Sequence, residues 1–134
     1  LLEKRESVLL TRERKDIPRV ICLAADQAPQ KPESAYWTNF LHQDTAFFTG
    51  MERFARDYQY PVVFAELIRT KRGKYTMTYE LLANVPFDEL APGEIIERFA
   101  RRLEKSINAY PEQYLWSHRR WKHTKPDKLS LKWS

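Results

Sequence analysis

Between residues 75 and 82 apolar and polar positions alternate strictly, with Tyr75, Met77, Tyr79 and Leu81 on one side of the chain. A period of two belongs to a strand with unlike faces. The preceding run, Pro61 and then Val62 to Arg69, is rich in β-branched and apolar residues, and Lys71-Arg72-Gly73-Lys74 separates the two stretches. Together they predict a β-hairpin. Further along the period changes. Ile95, Ile96, Phe99, Ala100, Leu103, Ile107 and Tyr110 recur at the spacing of one helix face, behind a Pro92 that a first helical turn tolerates. Pro111 ends that helix and restarts a short one through about His118. Apolar positions 47, 48, 51, 54, 55 and 58 predict another amphipathic helix, with Asp44-Thr45 as N-cap and Gly50 in its first turn.

The remaining stretches are less periodic. Leu1 to about Lys15 read as the end of a helix, closed by Pro18. Val20 to Ala25 is a continuous apolar run of strand length, which predicts a strand buried on both faces. Pro29 and Pro32 make Ala28 to Ser34 a loop, Tyr36 to Leu41 reads as a short strand, and Val85 to Ala91 as a loop. Strand, helix, hairpin and helix place the chain in the α/β class, with a mixed β-sheet and helices packed on it. Residues 1–134 then form one domain, of which about 123–134 is a loose basic tail.

Composition narrows this little. A chain of 134 residues that is 43% hydrophobic and 31% charged fits a single domain of ordinary make-up. No leader-like or membrane-length apolar segment is visible, and the abrupt start at Leu1-Leu2-Glu3-Lys4 suggests a piece of a longer protein. Cys22 lies in the apolar run and reads as a small core residue without disulfide or metal partners. The net charge of +5 is concentrated at Arg69, Lys71, Arg72 and Lys74, and again from Arg119 onward, as for phosphate-bearing partners: nucleic acid, anionic lipid or phosphorylated small molecules.

Candidate chemistry is sparse. Asp26-Gln27 follows the apolar run at the place where loops of α/β sheets collect ligands, although an aspartate there also satisfies turn amides. Phe47-Phe48-Thr49-Gly50 opens the predicted helix, whose free amides attract anions; packing of the phenylalanines explains the same residues. None of His42, His118 and His123 is followed five positions on by Asp or Glu, and one cysteine with three scattered histidines makes neither a zinc site nor a Cys–His pair. Three glycines leave no room for a phosphate loop or a nucleophile elbow. Pro111 to Lys122 packs aromatics and cations together. Its Tyr114, Leu115 and Trp116 could stitch the segment to a core, or Trp116, Arg119, Trp121 and Lys122 could face nucleic acid.

That segment, Glu112-Gln113-Tyr114-Leu115-Trp116-Ser117-His118-Arg119-Arg120-Trp121-Lys122, resembles the C-terminal signature of the lipid A biosynthesis acyltransferase family, within the lysophospholipid acyltransferase superfamily. The family pattern has Phe where this chain has Trp121. Asp26-Gln27 resembles its Asp-containing loop, Phe47-Phe48-Thr49-Gly50 its Phe-Phe-Gly segment with an inserted Thr, and Pro61-Val62-Val63, Arg69 and Tyr75 its Pro-Val strand and hairpin. The likeness spans nearly the whole chain but only the C-terminal half or so of a family member.

The resemblance implies glycerolipid-acyltransferase-like αβα layers and an O-acyltransferase. Such an enzyme moves a fatty acyl group from acyl carrier protein, or acyl-CoA, to a hydroxyl of a lipid A precursor, on the cytoplasmic face of the inner membrane. It implies acceptor-binding roles for Asp26, Gln27, Thr49 and Gly50, anion contacts for Arg69, Arg119 and Arg120, and structural anchoring by Glu112, Tyr114 and Trp116, with Glu112 neutralising an arginine. No cofactor, metal or nucleic acid is expected. Family catalysis uses a His-x-x-x-x-Asp/Glu dyad, which this sequence lacks. The dyad and a membrane-spanning helix are expected upstream, the chain alone is expected to be inactive, and basic patches are expected to add membrane contact. The alternatives are a basic, aromatic nucleic-acid-binding module and a non-catalytic adaptor at anionic membranes.

Overall fold

The computed structural model describes residue 13 and residues 17–127. They form β1 (Tyr36–Phe40), β2 (Gln43–Phe47), α1 (Gly50–Tyr58), β3 (Val62–Lys71), β4 (Lys74–Ala83) and α2 (Glu94–Ala109), with single 3-10 turns at Pro32–Ser34 and Pro111–Gln113. The expected N-terminal helix, Glu13 apart, and the end of the basic tail lie outside the described residues. Sheet and packed helix are both present, as the α/β reading requires. The strands form two separate antiparallel pairs, β1–β2 and β3–β4.

The β3–β4 hairpin follows the alternation read from the sequence, with Val63 opposite Leu81, Ala65 opposite Tyr79 and Leu67 opposite Met77. Its inner face, carrying Val62 and Phe64, lies on α2. The stripe Ile95, Ile96, Ala100, Leu103 and Ile107 buries α2 along its length. Phe99 joins the two hairpins, its ring 6.3 Å from that of Phe47 and 5.7 Å from that of Phe64. Burying side chains such as Ile95, Ile96, Phe40 and Phe47 stabilises the fold by roughly 1.5–3 kcal/mol each.

Three local expectations are corrected. Asp44-Thr45 is no N-cap: it lies in β2, paired with β1 across a two-residue turn, and the helix starts only at Gly50. That turn puts Leu41 and His42 at φ of 49° and 64°, a left-handed conformation that Asn or Gly normally supplies. It is held from outside, since Glu104 of α2 accepts the Leu41 N–H at 2.6 Å and Arg101 donates to the Asn39 carbonyl.

Second, Val20 to Ala25 is not a buried strand. No strand forms there, Val20 is 90% exposed, and Cys22 is on the surface rather than in the core. An apolar run becomes a two-sided strand only with a neighbour to bond its backbone on the sheet, and none of the described residues pairs with it. Third, only one 3-10 turn follows Pro111 in place of a short helix.

Glu52 is a residue whose importance the sequence hides. On α1, wholly buried, its carboxylate accepts the N–H groups of Gly93 at 2.9 Å and Ile96 at 3.2 Å and pairs with Arg56 at 2.8 Å. It therefore caps α2 from another helix, where Gly93 has no side chain to do so. Gly93 is held to glycine twice over: its φ is 92°, and a Cβ would stand 2.4 Å from the Tyr36 ring.

Candidate functional site

An open cleft of about 320 Å³ lies between the Leu23–Asp26 segment and the free edge of β3. Phe99, Leu103 and Ile107 of α2 form its apolar floor, and Tyr114 closes one end. No strand among the described residues pairs with that edge, but one of its residues is met by a side chain. Gln113 sets its carboxamide against Arg69 like a neighbouring strand, accepting its N–H at 2.7 Å and donating to its carbonyl at 3.3 Å. Main-chain groups alternate sides along a strand, so Ala65 and Leu67 turn theirs the same way, into the cleft.

Two carboxylates line this space, and their circumstances differ. Glu66 is committed: Arg102 grips it with two hydrogen bonds of 3.2 and 3.0 Å, and the Ser106 hydroxyl also donates to it. The Arg102 bonds, then the Ser106 bond, hold its carboxyl below the usual range against the opposing effect of burial. Asp26 is half-buried and forms no ion pair with any described residue. Of the two cleft carboxylates it is thus the one not gripped by an arginine. Such a site can meet a hydroxyl or an amide at its polar end while covering an apolar chain.

What holds Asp26 there is the segment from Gln113 to His123, which runs as a strap from the end of β3 to β2. His118 Nε2 accepts the Ala28 N–H at 2.9 Å, and His123 Nε2 lies 2.8 Å from the Pro29 carbonyl oxygen. The first of these bonds requires Nε2 of His118 to be unprotonated. Trp121 donates to the Thr45 hydroxyl at 2.8 Å. Arg120, expected to contact an anion, is instead 3% exposed. Its guanidinium lies 4.5 Å from the Phe47 ring centre and donates to the Ala46 carbonyl at 2.7 Å. Its Nε and Nη2 have no hydrogen-bond partner among the described residues. Burial lowers the pKa of Arg120, with Tyr114 and Asp26 acting against that shift. Burial likewise raises the phenol of Tyr114; Arg120 opposes this and Asp26 adds to it. Asp26, Tyr114 and Arg120 therefore form one electrostatic group at the cleft's end.

The other sequence-derived candidates are scattered. Gln27 is exposed beside Asp26. Thr49 and Gly50 do not line the cleft; the Thr49 hydroxyl donates to the Ser34 carbonyl at 3.4 Å, and what approaches Gly50 closely is the Phe48 ring. Arg69 lies at the hairpin end beside Lys71 and Arg72, and Arg119 is exposed. Glu112, expected to neutralise an arginine, forms no ion pair among the described residues and accepts from Gln113 at 3.3 Å. Trp116 is a weaker anchor than its size suggests: 53% exposed, it packs edge-on to Tyr114 and donates to the Pro111 carbonyl at 2.6 Å. At the start of the basic tail His123 is half-buried and Lys125 reaches Asp44 at 3.8 Å. None of the three histidines lines the cleft. Among the described residues there is no group of three or more His, Cys, Asp or Glu arranged to hold a metal, and no helix long and apolar enough to cross a membrane.

The family described as bacterial lipid A biosynthesis acyltransferase matches residues 7–123, from ahead of the exposed apolar run to the last histidine of the strap. No curated protein and no solved structure matches the chain.

Proposed function

The chain belongs to the bacterial lipid A biosynthesis acyltransferase family, and on that premise we propose that its cleft presents Asp26 to the acceptor hydroxyl of a lipid A precursor. Asp26 orients that hydroxyl, while the floor of Phe99, Leu103 and Ile107 covers apolar parts of the lipid. The observation that supports this reading is the strap: the segment that resembles the family signature bonds to the two residues after Gln27, at Ala28 and Pro29, and so fixes the Asp26 loop.

The donor in this reading is an acyl carrier protein, an acidic partner suited to a chain of net charge +5. Arg69 and Arg119 are exposed and meet its acidic groups or the precursor's phosphates. A hydroxyl that attacks a thioester near neutral pH calls for an imidazole base. The histidine–carboxylate pair is supplied from beyond this sequence, so the 134-residue chain alone transfers no acyl group. The assembled enzyme works at the cytoplasmic face of the inner membrane.

Transfer of a labelled acyl group from acyl carrier protein to a lipid A precursor tests this. The complete gene product should catalyse it, Asp26→Ala should lower kcat/KM by roughly ten- to a hundred-fold, and the isolated chain should give none. Full activity of Asp26→Ala would remove Asp26 from the site, and turnover by the isolated chain would refute the external base.

A further inference from the structure

His118 and His123 hold the Asp26 loop by hydrogen bonds of opposite polarity. The main-chain N–H of Ala28 can only donate, so Nε2 of His118, 2.9 Å away, accepts through its lone pair and carries no proton. The carbonyl oxygen of Pro29 can only accept, so Nε2 of His123, 2.8 Å away, carries a proton and donates it. As neutral rings the two are therefore opposite tautomers, protonated on Nδ1 in His118 and on Nε2 in His123.

A further proton affects them differently. On His123 it goes to Nδ1 and leaves the bond to Pro29 in place, now with a charged donor. On His118 it takes the lone pair that Ala28 uses, and two N–H groups then face each other. Nothing among the described residues takes over. No main-chain carbonyl accepts the Ala28 N–H. The charged and titratable groups about the joint are Asp26 on the loop and Tyr114, Arg119, Arg120, Lys122 and His123 on the strap, and none of them hydrogen-bonds to the His118 ring.

Release at Ala28 reaches Asp26. Asp26 and Gln27 form no hydrogen bond with another described residue, so their turn is suspended between buried Ala25 and Ala28. We propose that His118 is a proton-operated latch on this loop: the neutral ring holds Ala28 and fixes Asp26, and the protonated ring lets them go while His123 retains Pro29. The latched form carries one proton fewer than the released form, so the grip is complete at high pH and is lost as pH falls. Imidazoles ordinarily change charge between about pH 5 and 8. The latch itself is independent of the acyl-transfer reading, and only its effect on turnover rests on that reading.

Hydrogen exchange at the Ala28 amide of the 134-residue chain, followed by NMR from about pH 8 to about pH 5, tests the latch. Corrected for the intrinsic effect of pH, protection at Ala28 should fall about ten-fold or more, while Leu103 within α2 keeps its protection. In His118→Gln, whose side chain does not titrate, protection at Ala28 should not change with pH. At the higher pH the ring nitrogens should show the proton on Nδ1 of His118 and on Nε2 of His123. Constant protection at Ala28 in the parent, an equal fall in His118→Gln, a loss shared with Leu103, or a neutral His118 protonated on Nε2 would each overturn the proposal. In the complete gene product, kcat/KM of the parent relative to His118→Gln should fall over the same range. If that ratio stays constant while Ala28 still responds, the latch stands and the role of Asp26 in acyl transfer fails.

Discussion

Arg120 stacks on Phe47, its guanidinium carbon 4.5 Å from the ring centre, in a place where two of its donors find no partner among the described residues. A residue that reads as surface charge is part of the core. Its aliphatic stem and flat head fill volume between Phe40, Phe47 and the end of the cleft, while its charge remains desolvated. Arg120→Ala should cost about 3–5 kcal/mol through the cavity and the orphaned Ala46 carbonyl. Arg120→Met restores the volume and sheds the buried charge, so its cost should stay within about 1–2 kcal/mol. Urea unfolding of both variants decides this, and equal losses would mean that the charge itself holds the strap in place.

Glu52 should be among the more sensitive residues of the fold. Glu52→Gln keeps the size but loses the pairing with Arg56 and weakens the cap on α2, which we expect to cost about 2–3 kcal/mol. The neighbouring surface pair Glu94–Arg98, more than a third exposed on both sides, should give less than about 1 kcal/mol when broken. Thermal melts of Glu52→Gln and Glu94→Gln compare the two directly.

Glu66 predicts a particular response to acid. Its folded pKa lies below the ordinary value of 4.5, so the stability it contributes is fully present above that value and is lost as pH falls through the folded one. Glu66→Gln should therefore be less stable than the parent at neutral pH, and the gap should narrow once pH drops below 4.5. Urea midpoints followed from neutral to acid pH measure the gap; a constant difference would contradict the coupling to Arg102.

Cys22 reports on the segment that differs most from its sequence expectation. Its thiol is exposed in a stretch without regular secondary structure, so a thiol reagent should label the folded protein at close to the rate of the unfolded chain. Protection by a hundred-fold or more would indicate a buried strand instead.

Much of the architecture is legible where a single period dominates. Tyr75, Met77, Tyr79 and Leu81 are on one face, and Ile95 to Ile107 bury one stripe of α2. Legibility fails where long-range contacts override local chemistry. The β1–β2 turn uses Leu41 and His42, and only Glu104 and Arg101 on a distant helix explain why it forms. Glu52 stands four residues before Arg56 like any surface pair, so its burial is legible only from its place beside Met51 and Ala55 on the apolar side of α1. At the site, Asp26 is marked by following an apolar run, although that run forms no strand. The strap's two bonds to the Asp26 loop join residues 90 and 94 positions apart, and nothing local at His118 or His123 announces Ala28 or Pro29.

The dependence of Asp26 on the strap is open to a double-mutant cycle in the complete gene product, read as kcat/KM for acyl transfer to a lipid A precursor. If His118 acts by holding Ala28, and through it Asp26, then His118→Ala should lower kcat/KM roughly ten-fold, while Asp26→Ala with His118→Ala should be no worse than Asp26→Ala alone. Losses that simply multiply would mean that the two residues act separately and would contradict the positioning role of the strap.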